Sequence, residues 1–299
     1  MKNILIAGGT GLIGTKLSQL LRGQGYHVRH LSRTADPNAE FPTFAWQPSK
    51  GTYDPKAFQN VDAIINLAGA GIVDKRWTAA RKKVIIESRT MSNALIANFL
   101  GNEKHTVKAY ISASAIGFYA NRGTTLMSED DVAGKGFLAE STIAWEDAIE
   151  KVRQTGVRTV VLRIGIVLST EGGALPEMLK PFMVRTGVYF GNGEQYLSWI
   201  HIDDLARMFQ FALESEKMSD IFNAVAPTPV TNYAFTQAIA EAKGGGYLLI
   251  PAPAFTLRLA MGEMADTVLG STNVSSQKIE NKGFTFEYRT AFAALKDLL

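Results

Sequence analysis

Cysteine is absent from the 299 residues, which excludes disulfides and thiolate metal sites and suits a reducing compartment. Histidine is scarce, at four, and no His/Asp/Glu grouping has metal-ligand spacing, so no metal is expected. Charge of one sign is not in excess. Lys and Arg number 31 against 28 Asp and Glu, a formal net charge of +3, with no long block of like charge. That balance gives no basis for a nucleic-acid or membrane-surface partner. Apolar runs are no longer than a strand, so no transmembrane helix is expected. Internal repeats and low-complexity tracts are also lacking. The apolar run at Ile4 leaves no room for a signal peptide ahead of it, and a cytoplasmic location is expected. The expected partner is a small-molecule substrate, with the chain working as a monomer or homodimer.

What is present begins with Ile4-Leu5-Ile6-Ala7 followed by Gly8-Gly9-Thr10-Gly11-Leu12-Ile13-Gly14. A short apolar run, a glycine turn and a return of Leu12, Ile13, Leu17, Leu20 and Leu21 read as strand, turn and helix. Gly8 would permit the turn, Gly11 would let the backbone approach a pyrophosphate, and Gly14 would let helix and strand pack closely. The spacing is GxxGxxG rather than GxGxxG. Gly9 to Gly14 also has Walker spacing, but Thr15-Lys16 follows where Lys then Ser or Thr is required. The ammonium and hydroxyl would be exchanged relative to the phosphates, which argues against an NTPase.

Further strand-like runs fall at His27–Leu31, Ala63–Leu67, Ala109–Ser112 and Thr159–Leu162, with helical stretches at Thr15–Gln24, Ala79–Phe99 and Ala139–Gln154. This alternation predicts an α/β fold with a Rossmann-type doubly wound parallel sheet. Ligands in such sheets sit at the carboxyl ends of the strands. Those ends carry Gly8–Gly14, Ser32-Arg33, Ala68-Gly69, Ser112–Ser114 and Arg163–Gly165. From about Gly172 glycines and prolines break the alternation. The expected division is a dinucleotide-binding domain over 1–175, to which a stretch near 195–225 returns, and a smaller α+β substrate lobe over 176–299.

Leu31-Ser32-Arg33 ends the second strand, where NAD-binding folds place an acidic ribose ligand. A hydroxyl and a guanidinium suit the 2′-phosphate of NADP instead, so NADP is expected over NAD. Small residues after the third strand, in Leu67-Ala68-Gly69, leave room for a ligand to pass. The basic stretch from Lys75 to Lys83 reads as a solvated helix face, or as an anion contact with Trp77 as a stacking surface. Asp203-Asp204 looks like a helix start with Asp at the N-cap.

GGTGLIG, INLAG and ISASA together resemble the extended short-chain dehydrogenase/reductase superfamily, which includes nucleotide-sugar epimerases and dehydratases. Lys75-Arg76-Trp77, Ser88-Arg89, Gly172-Gly173-Ala174-Leu175, Trp199-Ile200-His201 and Pro253-Ala254-Phe255 are similar to its atypical epimerase-like family across essentially the whole chain. The resemblance implies a cofactor-proximal role for Arg89. The candidate cofactor set is then Gly8, Thr10, Gly11, Leu12, Ile13, Gly14, Ser32, Arg33, Leu67, Ala68, Gly69, Arg89 and Val167. Extended enzymes use a Tyr followed four residues later by a Lys, and none of the nine tyrosines here is so followed. Ser114 stands where the family's serine belongs, while Phe137–Ser141 occupies the region expected to supply the Tyr. The remaining candidate proton carriers are Tyr119 and Glu140, giving Ser114, Tyr119 and Glu140 as the catalytic candidates. Two readings follow: an NADP-dependent oxidoreductase or epimerase with an unconventional site, or a cofactor-binding sensor that has lost catalysis.

Overall fold

The computed structural model describes residues 1–299. The chain opens with β1 (Asn3–Ala7), α1 (Leu12–Gly23), β2 (His27–Ser32), β3 (Thr43–Gln47), β4 (Thr52–Tyr53) and β5 (Ala63–Asn66). It continues through α2 (Ala79–Asn102), β6 (Ala109–Ala115), β7 (Leu126–Met127), α3 (Phe137–Arg153), β8 (Arg158–Ile164) and β9 (Ile166–Leu168). Next come α4 (Ala174–Leu179), β10 (Thr186–Phe190), β11 (Tyr196–Leu197), β12 (Trp199–His201), α5 (Ile202–Glu214) and β13 (Ile221–Ala224). The last stretch holds β14 (Val230–Thr231), α6 (Asn232–Ala242), β15 (Leu248–Ala252), α7 (Ala254–Met261), α8 (Asp266–Leu269), β16 (Asn273–Val274), α9 (Gln277–Asn281) and α10 (Ala291–Leu298).

Eight strands form one sheet in the order β13-β8-β6-β5-β1-β2-β3-β4, parallel except for the β3–β4 edge pair. This is a Rossmann-type doubly wound α/β fold. Helices α1 and α5 pack together, as do α2 and α3, so both faces of the sheet are covered. Ile4, Leu5, Ile6, Ile64, Ile65 and Ile111 are wholly buried between these layers. The strand order reverses at β1, which has β2 on one side and β5 on the other. That reversal opens a crevice at the strands' carboxyl ends.

The chain comes back to this sheet through β13, whose register pairs Ile221 with Val161 and Ala224 with Ile164. A second, smaller core gathers Leu168, Leu175, Phe182, Trp199, Phe235 and Leu295 beneath α6 and α10. The C-terminal segment is shared between the two cores, because Ile279, Phe284 and Phe286 pack into the large one. Three local features depart from the sequence reading. β3 and β4 add an edge pair that was not foreseen. Helix α1 begins at Leu12 instead of Thr15, directly after Gly11. Helix α5 is capped by His201, whose Nδ1 accepts from the Asp203 N–H at 3.1 Å, and not by an Asp.

Candidate functional site

The glycine turn after β1 is shaped by three different contacts. Gly8 has φ +78°, a left-handed backbone that glycine adopts without strain, and packs against Leu67 after β5. A Cβ at Gly9 would overlap the buried His30 imidazole, and one at Gly14 would lie 2.6 Å from Gly9 Cα. Gly11 differs. A Cβ there would meet only the Gly8 carbonyl, at an ordinary 3.4 Å. The protein's own packing therefore gives no reason for a glycine at position 11. No side chain caps α1 at Gly11, so the first-turn N–H groups are left for a ligand.

A cleft of about 710 Å³ opens over this turn, lined by Gly8, Thr10, Gly11, Ser32, Arg33 and the Leu67–Gly71 strand exit. Arg33 is exposed and makes no ion pair within the chain. Leu12 lies beneath the Gly172-Gly173 turn, and Ile13 packs partly buried against the large core. Val167 is half-buried on β9 and pairs with Ile200. Arg89, on α2, is nine-tenths buried and stacks over the Trp145 ring at 4.9 Å. The guanidinium's one hydrogen bond goes to the Ile85 carbonyl at 3.0 Å. Burial, and then the neighbouring Arg81, bring its pKa down to about 10. A Cβ on Gly69 would sit 3.0 Å from Arg89 Cζ, so the glycine also makes space for this guanidinium. A buried cation without a carboxylate partner is a standing demand for an anion. The uncapped helix start, the bare Gly11 and this unpaired arginine all fit a dinucleotide.

The basic stretch is only partly solvated. Arg81 donates to the Gly71 carbonyl at 2.5 Å and pairs with Asp74, while Lys82 pairs with Glu263 from the C-terminal segment. Trp77 meets Phe137 edge-on at 4.7 Å.

The catalytic candidates are placed otherwise than chain order suggested. Ser114 ends β6 as expected, but its hydroxyl donates to Glu146 Oε1 at 2.6 Å. Glu146 in turn receives Arg163 Nε on Oε1 at 2.8 Å and Nη2 on Oε2 at 2.7 Å, a bidentate pair. Arg163 Nη1 donates to the Tyr119 hydroxyl at 2.9 Å, and that hydroxyl donates to Asn223 Oδ1 at 2.8 Å. Tyr119 is wholly buried, and burial pushes its pKa up to about 12 even with Arg163 pulling the other way. The phenol expected as a proton donor is therefore held inside the protein, between Arg163 and Asn223. Glu140 lies exposed in the first turn of α3, outside this hydrogen-bonded cluster. On an α-helix, residues four apart share a face. The face toward the turn after β6 carries Leu138 and Thr142, which flank Gly117, and then Glu146. Sequence reasoning missed Glu146 and Asn223 and gave Arg163 no role. A charged residue inside the apolar strand Val160-Val161-Leu162-Arg163-Ile164 was the available signal, because a buried guanidinium requires a partner.

Residues 4–224 match the NAD dependent epimerase/dehydratase family, and residues 252–298 match a domain of unknown function, DUF1731. The chain therefore belongs to the NAD dependent epimerase/dehydratase family. The epimerase family protein Mb2239 of Mycobacterium bovis is 37% identical over 294 residues, covering 98% of this chain and 96% of that one. The epimerase family protein YfhF of Bacillus subtilis is 34% identical over 299 residues, covering 99% and 98%. Among solved structures, the human epimerase family protein SDR39U1 with NADPH superposes with a TM-score of 0.89 at 31% identity, covering 99% and 98%. The UDP-glucose 4-epimerase of Thermus thermophilus, with NAD, shares the fold at a TM-score of 0.77 and 18% identity. No helix is long and apolar enough to cross a membrane.

Proposed function

We propose that the protein binds NADP(H) in the cleft over the glycine turn and acts as an oxidoreductase on a small polar molecule. The substrate would sit between the ends of β5 and β6 and the C-terminal lobe. The observation that carries the reading is the bare Gly11 beside an uncapped helix start, with the unpaired Arg33 at the next strand end. The first-turn N–H groups of α1 would hold the pyrophosphate, where the helix dipole favours negative charge. Ser32 and Arg33 would hold the 2′-phosphate, and Leu67-Ala68-Gly69 would leave the passage open. Arg89 would meet an anionic oxygen of the bound cofactor, and Leu12 and Val167 would wall its reactive end. When bound, the nicotinamide supplies hydride transfer. The NADPH in the human relative supports NADP over NAD. Titration calorimetry tests this. Arg33→Ala should weaken NADPH by about 1.5–3 kcal/mol, the worth of hydrogen bonds to a charged group, and leave NADH unchanged. Equal weakening of both cofactors would remove the assignment.

A second reading, a cofactor-binding sensor without turnover, is favoured by one observation. Leu138 and Thr142 occupy the helix face toward Gly117, and neither can do the work of a Tyr and Lys pair. Stereospecifically labelled NADPH incubated with a metabolite pool separates the two readings, since only an enzyme passes the label on.

A further inference from the structure

The missing Tyr and Lys leave open where a substrate's hydroxyl proton goes, and the buried cluster behind Ser114 answers that. Resting on the oxidoreductase reading, we propose that Ser114 is the group touching the reacting oxygen and that Glu146 acts through it as the proton acceptor. Arg163 holds Glu146 in place. Ser114 Oγ already spends its own hydrogen on Glu146 Oε1 at 2.6 Å, so the lone pairs left on Oγ can only accept. A hydroxyl poised in this way takes a proton from a substrate alcohol while handing its own to the carboxylate. Ser114 is buried, but the Ala115–Phe118 turn that follows it is half-buried and gives the approach.

The step balances in both directions. As an alcohol is oxidised, its O–H bond breaks and the proton joins Ser114 Oγ, while the Ser114 proton moves to Glu146 Oε1. The hydride leaves the carbon for oxidised NADP, the co-reactant named above. In reduction the steps run backwards from Glu146 carrying a proton taken up from water. NADPH gives its hydride to the carbonyl carbon, the carbonyl oxygen receives the Ser114 proton, and the Glu146 proton replaces it on Ser114 Oγ.

Glu146 is distinguished from other carboxylates by its surroundings. Arg163 faces it from β8 with both Nε and Nη2, and the Arg163 guanidinium rests on the Phe118 ring at 3.5 Å. Tyr119 faces Arg163 from the turn after β6, and Glu129 stands beyond it on the Asn223 N–H at 2.7 Å. From α2, Arg89 stacks on Trp145, the neighbour of Glu146 in the middle of α3. An arginine fixed by Tyr119 and two aromatic faces holds the carboxylate in one geometry, so the serine hydroxyl has one orientation. Arg163 takes one acceptor site on each carboxylate oxygen, which leaves a second site on Oε1 for the serine hydroxyl.

The test has one readout that needs no substrate. A hydroxyl proton shared with a carboxylate at this distance should give a downfield, slowly exchanging proton resonance in the whole protein. Ser114→Ala identifies it by its loss, and Glu146→Gln should move it upfield. Absence of such a signal from wild type overturns the geometry. For kinetics, NADPH-loaded protein is screened against a panel of small aldehydes, ketones and quinones. Ser114→Ala and Glu146→Gln should each lower kcat about 10²-fold, the usual worth of one acid–base group, with KM and NADPH affinity within about twofold. The double variant should be no worse than either single one. In this reducing direction the wild-type rate should fall as pH rises, a limb that should vanish in both variants, and Glu146→Asp should restore part of the rate. Should Glu146→Gln fail to fold, Ser114→Ala leaves the ion pair intact and carries the same pH-profile test. Unchanged kcat in Glu146→Gln overturns the relay alone. Tight NADPH binding with no turnover of any panel member overturns the enzymatic reading itself.

Discussion

Glycine at position 9 and glycine at position 11 look equivalent in the sequence and are held there by different forces. Gly9 is required by the protein, because any Cβ would overlap the buried His30 ring. Gly11 has room for a side chain in the protein alone. Gly9→Ala should therefore lower stability by about 1–3 kcal/mol, the cost of overpacking a filled site. Gly11→Val should move the melting temperature little and abolish NADPH binding. Melting curves paired with cofactor titrations check both, and a Gly11→Val protein that binds normally would show the turn to be only structural. Tyr119 presents the opposite contrast. Its place in the chain suggested chemistry, yet its phenol bridges Arg163 and Asn223 in the interior. Tyr119→Phe should cost about 1–3 kcal/mol of stability through the orphaned polar groups and less than tenfold in any turnover. A large kinetic loss with unchanged stability would return the phenol to the reaction.

Whole elements were legible where a periodic pattern had a single interpretation. β1, β5 and β6 are nearly unbroken apolar runs because both faces of a parallel sheet are buried, and the small residues that follow β1 and β5 line the cleft. Thr43–Gln47 carried no such signal. Its Phe44 and Trp46 lie among prolines and polar residues, and pairing with β2 on one side and the two-residue β4 on the other makes it a strand. The hydrogen-bonded cluster behind Ser114 was hidden for a related reason. Ser114, Glu146, Arg163 and Asn223 come from β6, α3, β8 and β13, and the topology alone makes them neighbours. The second strand also carries a pH dependence. His30 lies under Gly9 with Ser18 Oγ at 2.8 Å from Nε2, and burial brings its pKa down to about 4. The folded chain therefore refuses a proton that the unfolded chain accepts near its ordinary 6.5. Stability should fall as pH drops from about 6.5 toward 4 and gain nothing further from this group below that. Burial lowers His201 in the same direction. Urea midpoints at pH 7 and pH 5 should differ less in His30→Gln than in wild type, and an undiminished difference would show that His30 titrates normally.

Across the molecule, the cofactor cleft and the C-terminal lobe are held by separate sets of contacts. Every residue lining the cleft precedes position 92, whereas the small core depends on α10 through Ala291, Ala294 and Leu295. One tether between them is Asp204, wholly buried near the start of α5. Its carboxylate accepts the Glu287 N–H at 3.0 Å, the Tyr288 N–H at 2.9 Å and Arg207 Nη1 at 2.6 Å. These bonds fix the chain just ahead of α10, and His201 stacks on Tyr288 at 3.8 Å to complete the join. Asp204→Ala would leave two backbone donors and a guanidinium without their acceptor, at a cost of about 3–5 kcal/mol. The loss should be local. Hydrogen exchange should accelerate over 287–298 and across α6, which packs on α10. β1, β5 and the α1 start should stay protected, and NADPH affinity should stay within about twofold of wild type. Cofactor binding that fell together with the lobe would mean the cleft takes its shape from both cores, and the C-terminal lobe would then have to be read as part of the cofactor site.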